Sequence, residues 1–329
     1  MFDDSLLDDP VILGTRGARL EQLARVGARL RYQQPEDVAV VAAGLDGVRP
    51  RSVVVIGAEA RLIRAVAESV CPVPLVTWQS AGLPNWAGPL DLIIVLAGAD
   101  SRLLPSCLEA LRRGSLLLVV APQESSLLDQ FGPAAALLTR DNDPFVAALL
   151  ALKVLDLLGL GPSLDLGELA DALDQVSEIC GPRHSLADNP AKNLACALAE
   201  VVPLLWGGSV LAARASRRVA EAVRDATGLP ALAADDWALM PLIESAQPRD
   251  LFADPFEDDH SASAGHCVLI LDDGEYPLQG VDLAEVASAR GIRVETIRCV
   301  DGGPVMRYAA ILQHGLFAAA YLGLATIKE

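Results

Sequence analysis

Val53 to Leu62 reads VVVIGAEARL: a β-branched run that stops at a glycine and turns into a helical pattern. The unit recurs. PLVTW (74–78), LDLIIVLAG (90–98), SLLLVVAP (115–122) and AALLT (135–139) each predict a strand, and LDLIIVLAG is apolar enough to be buried on both faces. Helical spacing lies between them, in RLIRAVAESV (61–70) and in SRLLPSCLEALRRG (101–114), which Gly114 closes. Alternating strands and helices call for a parallel sheet with right-handed crossovers, covered on both faces. Aromatics are only 4% of a chain that is 52% hydrophobic, so the core is built from Ala, Leu and Val.

The scheme then starts again. VVPLLWGG (201–208) is a strand reaching glycines, and SVLAARASRRVAEAVRDATG (209–228) is a helix ended by Gly228. HCVLILDD (266–273) and IRVETIRCV (292–300) are strands around a helix in VDLAEVASARG (281–291). A last helix runs from about Pro304 to Ala325. Two α/β units in 329 residues suggest an internal duplication. Between them lie a buried helix in DPFVAALLALKVLDLLGLG (143–161), a helix capped by Ser163 or Asp165, and the Gly/Pro/Asn-bearing GPRHSLADNPAKN (181–193). The expected domains are 1–160, a helical link at 161–194, and 195–329. One further helix is expected over 17–31, and a mobile acidic loop over 249–266.

The net charge of −17 and pI near 4.6 argue against a nucleic-acid partner, since a polyanion is repelled. Lys153 and Asp156 interrupt the longest apolar run, so no membrane span is expected. Cys71, Cys107, Cys180, Cys196, Cys267 and Cys299 form no C-x-x-C pair and are expected as free thiols in a reducing cytoplasm, without a structural zinc. The opening MFDDSLLDDP lacks the basic region of a signal peptide. No G-x-G-x-x-G follows a strand and no G-x-S-x-G appears, so neither a dinucleotide nor a hydrolase elbow is indicated. Asp254, Glu257, Asp258 and Asp259 lack EF-hand spacing, and no metal or other cofactor is expected.

The stretch NPAKNLACALAEVVPLLWGG, Asn189 to Gly208, leads a lysine-bearing helix into the strand that opens the second unit. With the order of elements and the closing helix at Tyr308–Leu324, it resembles the bifunctional phosphoglucose/phosphomannose isomerase family, built from two sugar isomerase (SIS) domains. The resemblance covers nearly the whole chain. It implies an α/β fold of two SIS-type domains, each a doubly wound parallel sheet flanked by helices. It also implies a homodimer and a sugar or sugar-phosphate ligand.

The family's motifs are altered here. Its first strand ends in Gly-Met-Gly-Gly-Ser, matched by Gly57, Ala58, Glu59, Ala60 and Arg61. Its phosphate-holding Ser-x-Ser-Gly-Asn-Thr turn falls on Val95, Leu96, Ala97, Gly98, Ala99 and Asp100, followed by Ser101 and Arg102. By this match Gly57, Glu59, Gly98, Asp100, Ser101 and, further on, Arg224 are the candidate ligand-binding residues. Each lost hydroxyl removes a hydrogen bond to a charged group worth roughly 1.5–3 kcal/mol. Each carboxylate about 4 Å from a phosphate charge adds roughly 4 kcal/mol of repulsion at an effective dielectric near 20. Glu59 has two readings: a built-in anion that accepts the helix N-terminal amides, or a solvent-facing carboxylate of a first helical turn.

The family's catalytic glutamate, in Asn-Glu-Asn-Ala-Lys, falls on Glu221 within Ala220, Glu221, Ala222, Val223 and Arg224. Glu221 is either that base or an ordinary helix-surface residue. Trp237 stands at the ring-opening histidine, and indole has no basic nitrogen. The family's C-terminal lysine-bearing helix has no counterpart beyond Lys328. The resemblance therefore implies a catalytically degenerate, cytoplasmic relative that binds a carbohydrate derivative or a partner; the alternative is an active glucose-6-phosphate/mannose-6-phosphate isomerase using Glu221.

Overall fold

The computed structural model describes residues 1–33, 35–45, 47, 49–97, 101–125, 128, 136–140, 142–246, 265–275 and 282–327. Short helices open the chain: α1 (Pro10–Arg16), α2 (Ala18–Ala24), α3 (Val26–Tyr32) and α4 (Pro35–Gly44). The single helix expected over 17–31 is thus two. Arg25 turns to φ −97°, ψ 1°, and its amide bonds back to Gln22 in a tightened last turn.

Strand and helix then alternate through β1 (Ser52–Gly57), α5 (Ala60–Ala67), β2 (Leu75–Trp78), β3 (Asp91–Leu96), α6 (Leu104–Arg112), β4 (Leu116–Pro122) and β5 (Ala136–Thr139). Three helices follow: α7 (Pro144–Leu157), α8 (Leu166–Cys180) and α9 (Pro190–Leu198). Next come β6 (Val202–Gly207), α10 (Val210–Thr227), β7 (Leu232–Ala233), α11 (Asp236–Ser245), β8 (His266–Asp272), α12 (Leu283–Ala289), β9 (Arg293–Arg298) and α13 (Pro304–Ala325). Side-chain caps set several starts: Asp143 for α7, Asn189 for α9 and Ser209 for α10. Of the two caps expected for α8, Asp165 is the one that accepts from Gly167 N and Glu168 N. β7 and α11 were not expected. Two residues are too few to register as a strand, and Pro241 lies inside α11. Most of the loop expected at 249–266 lies outside the described residues, while His266 opens β8.

Both sheets are wholly parallel. The first runs β2-β1-β3-β4-β5 and the second β7-β6-β8-β9, so each reverses direction of growth at its first strand. This is the doubly wound α/β class expected, and it puts a crevice at the carboxyl ends of β1 and β3 and of β6 and β8. The chain divides into two compact units, Val26–Ala170 around the first sheet and Met1–Arg25 with Asp171–Glu329 around the second. That partition differs from the boundaries expected at 160 and 195. Residues 1–25 and the link from Asp171 onward fall in the unit of the second sheet, whereas 161–170 stay with the first.

Hydrogen bonds explain why. Asp3 N donates to Ala325 O, Ile327 N donates to Met1 O, and Phe2 bridges Thr326. Lys192, fully buried in α9, gives Nζ to Asp8 Oδ1 at 2.6 Å and to His184 O at 2.8 Å, over the ring of Tyr321. Asn189, also fully buried, accepts from Ala191 N and Lys192 N and donates to Cys180 O and Gly181 O. The segment that carried the resemblance is therefore a structural knot.

Apolar α7 is buried as expected. α13, at 22 residues, is the described helix long and apolar enough to cross a membrane; 78% of its apolar window is buried. Gly315 and Gly323 of α13 lie against α10: an added Cβ would sit 2.4 Å from Val219 Cγ2 and 2.7 Å from Ala226 Cβ, respectively.

Candidate functional site

In the first-sheet unit the corner after β1 is shaped by Gly57. Its φ of +119° is open only to glycine, and a Cβ there would lie 2.3 Å from Leu96 O of the neighbouring strand. Gly57 is thus required by the backbone alone. Glu59 follows at the start of α5 and is only 5% exposed, which excludes the solvent-facing reading. Its carbonyl accepts from Leu62 N and Ile63 N, but its carboxylate makes no capping bond to α5. The expected acceptance of that helix's amides is not met. The reason is local: φ −103°, ψ 17° is not the extended conformation from which a cap side chain reaches the N2 or N3 amide. What the corner keeps is a buried carboxyl group next to the positive end of a helix.

Val95 and Ala97, at the positions of the two expected serines, are buried in an apolar cluster with Val54, Ile56 and Val119. They pack the sheet instead of presenting donors. Gly98 and Asp100 lie outside the described residues. Ser101 opens a short 3₁₀ turn, Ser101–Leu103, that leads into α6. The nearby cations are committed: Arg61 donates to Gln79 Oε1 at 2.9 Å, and Arg64 holds Glu68 through two bonds of 3.0 and 2.9 Å.

In the second-sheet unit, Glu221 and Arg224 sit late on α10. Twelve residues separate Glu221 from the cap Ser209, about 18 Å along the axis at 1.5 Å per residue. The Glu221 carboxylate is about half exposed and accepts from Arg218 Nη1 at 2.7 Å. Arg224 donates to Ala231 O at 2.6 Å, tying the helix end to the turn before β7. Both residues are placed well away from the carboxyl ends of β6 and β8. Trp237, in the first turn of α11, is 75% exposed. Among the described histidines, His184 is exposed, His266 is at the amino end of β8, and His314 lies in the middle of α13. Burial pushes the His314 imidazole down to about 4, against an opposing hydrogen bond with the Pro190 backbone, so it is neutral at pH 7.

The crevice of the second sheet contains residues that sequence reasoning passed over. β6 ends in Gly207, packed so closely under α10 that a Cβ would lie 2.2 Å from the Ala212 carbonyl carbon. Ser209 Oγ accepts from Ala212 N at 3.0 Å and donates its proton to Asp273 Oδ2. Asp273, only 3% exposed, also accepts from Glu275 N at 3.2 Å through Oδ1. Its carbonyl accepts from Arg307 Nη1 at 2.7 Å, while Arg307 Nη2 meets Glu275 Oε1 at 2.6 Å. Asp272 accepts from Gly274 N, with Arg298 Nε 3.5 Å away. The available signal was DDG directly after a strand, at the place in the repeat where Ala97-Gly98 stands in the first unit.

Among the described residues, no three His, Cys, Asp or Glu side chains are arranged to hold a metal. The six cysteines are unpaired. Burial raises the thiols of Cys107 and Cys267 to about 11 and of Cys180 to about 12, so at neutral pH they are protonated and poor nucleophiles.

No protein-family model matches this chain, and no curated protein matches it by sequence. Solved structures do resemble it. The tagatose-6-phosphate ketose/aldose isomerase of Escherichia coli superposes with a TM-score of 0.63 at 14% identity, over 94% of each chain. A glucose-6-phosphate isomerase like protein from Thermus thermophilus gives 0.51 at 15%, over 92% of each. The C-terminal domain of glucosamine-fructose-6-phosphate aminotransferase from Francisella tularensis gives 0.56 at 11%, over 91% of this chain and 96% of that one. The likeness is one of fold. It bears out the α/β architecture that the resemblance implied.

Proposed function

We propose that this chain is a carbohydrate-derivative-binding protein on a sugar-isomerase scaffold that has lost the isomerase chemistry. The observation that carries the reading is Glu59, a carboxyl group buried at the strand–helix corner where such folds grip a phosphate, beside Val95 and Ala97 packed into the core. Among the described residues no histidine sits at the carboxyl end of either sheet. In this reading Gly57, Glu59, Gly98, Asp100 and Ser101 are the candidate ligand residues of the first unit, while Arg224 serves the end of α10 through its bond to Ala231 O. The protein acts in the cytoplasm as a homodimer, on sugars or their derivatives, with neither nucleic acid nor membrane as partner.

The test is catalytic and thermodynamic together. Purified protein is offered fructose 6-phosphate, and formation of glucose 6-phosphate or mannose 6-phosphate is followed; its melting temperature is then measured with free sugars and with their phosphates. The expected result is no turnover and stabilisation by at least one sugar derivative. Turnover that Glu221→Gln abolishes would overturn the proposal in favour of an active isomerase with Glu221 as the base. Absence of stabilisation by any sugar derivative would overturn the ligand class.

A further inference from the structure

Residues 1–16 belong to the second-sheet unit but bring little apolar burial to it. All of them are described, and Leu7 is the one buried residue among them; α1 adds none. What holds the segment is polar and near the surface. Asp3 N donates to Ala325 O at 3.0 Å, and Phe2 N donates to Glu200 Oε1 at 3.3 Å. Asp8 accepts from Leu186 N through Oδ2 and from Lys192 Nζ through Oδ1, with 46% of its side chain open. Few buried apolar groups and exposed hydrogen bonds mark the parts of a fold that open without the rest. The elements underneath are of the other kind: Lys192 of α9 and Tyr308, Phe317 and Tyr321 of α13 are fully buried.

Both ends of an opening motion are in place. Gly17 separates α1 from α2, no side chain caps α2 there, and Leu20 and Leu23 of α2 are buried again. Such an element-terminal residue is where a hinge absorbs the change in backbone angles. At the receiving end Glu200 holds Phe2 N from a backbone φ of +57°, a left-handed conformation that costs energy for a residue with a side chain and persists where its surroundings hold it. Beneath Asp8 lies the Lys192 ammonium, whose other partners are the His184 carbonyl and the Tyr321 ring. With Asp8 withdrawn it has no counter-charge, and a buried ammonium in that position draws water to itself.

We propose that Met1–Arg16 is a strap, hinged at Gly17, that opens without unfolding the second-sheet unit, and that Asp8 latches it over Lys192. Opening converts Lys192 from a sealed ion pair into an accessible amine. The inference concerns the strap alone and does not rest on the sugar-derivative reading.

The full-length protein is acetylated with a water-soluble ester under native conditions, and mass spectrometry follows Lys192, which is readily resolved because the chain has only Lys153 and Lys328 besides. Cys267, fully buried in β8, is followed in parallel with a thiol-alkylating reagent. Each rate is divided by that of the urea-unfolded chain to give an opening constant. The expected constant at Lys192 is at least tenfold larger than at Cys267 and depends less on urea, because less surface is exposed. Asp8→Asn raises it at least tenfold further. Equal constants with equal urea dependence at the two sites would overturn the proposal, since the strap would then open only with the whole unit. A Lys192 rate that Asp8→Asn leaves unchanged would overturn it too. If Asp8→Asn does not fold, Leu7→Ala, which loosens the strap at its buried side chain, is read by the same criteria.

Discussion

Lys192 has no exposed surface, whereas the Asp8 side chain that meets it keeps 46% of its area open. The consequences of cutting the pair are therefore unequal. Asp8→Asn strands a buried ammonium, which costs about 3–5 kcal/mol. Lys192→Met leaves a carboxylate that water can solvate, and it fills the same buried space with an apolar chain. Urea denaturation should show Asp8→Asn as the more damaging change, with Lys192→Met/Asp8→Asn recovering much of the loss. Equal costs would mean that water reaches the Lys192 ammonium. His314 gives a second prediction at this scale. Its folded pKa of about 4 lies below the ordinary 6.5, so the unfolded chain binds the extra proton first. The stabilisation is complete above pH 6.5 and declines as pH falls through that window towards 4, by about 3 kcal/mol at most. The ring keeps intermediate exposure, which lowers that ceiling. His314→Gln should flatten the stability–pH slope between pH 6.5 and 4; an unchanged slope would rule His314 out as its source.

Helices α10 and α13 are held close because glycine faces valine and alanine across their seam. Gly315→Ala would place its methyl against Val219 Cγ2, and the overpacking costs about 1–3 kcal/mol. Alanine's better helix propensity, worth about 1 kcal/mol over glycine, offsets part of it. Val219→Ala in the same chain should relieve the clash, so the double variant is expected to be more stable than the sum of the singles. Additive losses would show that the seam does not pack as described. The elements themselves were largely legible beforehand: the α13 bounds, the Asp165 cap of α8, the Gly228 end of α10 and the run of strands follow from local spacing. Arg25, which splits one expected helix into two, carries no Gly or Pro that would have marked the break.

Each unit has its own sheet and core, so thermal unfolding should depart from a single two-state transition. Asp91 reports on the first-sheet unit. It is fully buried at the amino end of β3 and accepts from Arg51 (3.2 and 2.7 Å), Ser52 (2.8 Å) and Gly88 N (2.9 Å). Burial pushes its carboxyl up, but these hydrogen bonds and the Arg51 charge outweigh that and hold it below the usual carboxylate range. Its stabilisation is thus present above the ordinary Asp range and is lost as pH falls through the depressed value. Asp91→Asn should move one calorimetric transition and Asp8→Asn the other. Both variants shifting a single common peak would show that the units unfold together.

The sequence by itself determined the class of fold, two parallel sheets with covering helices, because strand runs, caps and helix ends are written in neighbours a few residues apart. It also located the corner at Gly57 and the loss of hydroxyls at Val95 and Ala97. Only the tertiary structure decided which carboxylates are buried and what they face. Ser209 and Asp273 are far apart along the chain and meet because β6 and β8 run side by side with Gly207 beside Leu271. Glu59 is covered although nothing in its local sequence distinguishes it from a surface residue. It likewise took the docking of Met1–Arg25 onto the second-sheet unit to show that Asn189 and Lys192 tie segments together. Pairing across such separations depends on register and packing, which no local pattern encodes.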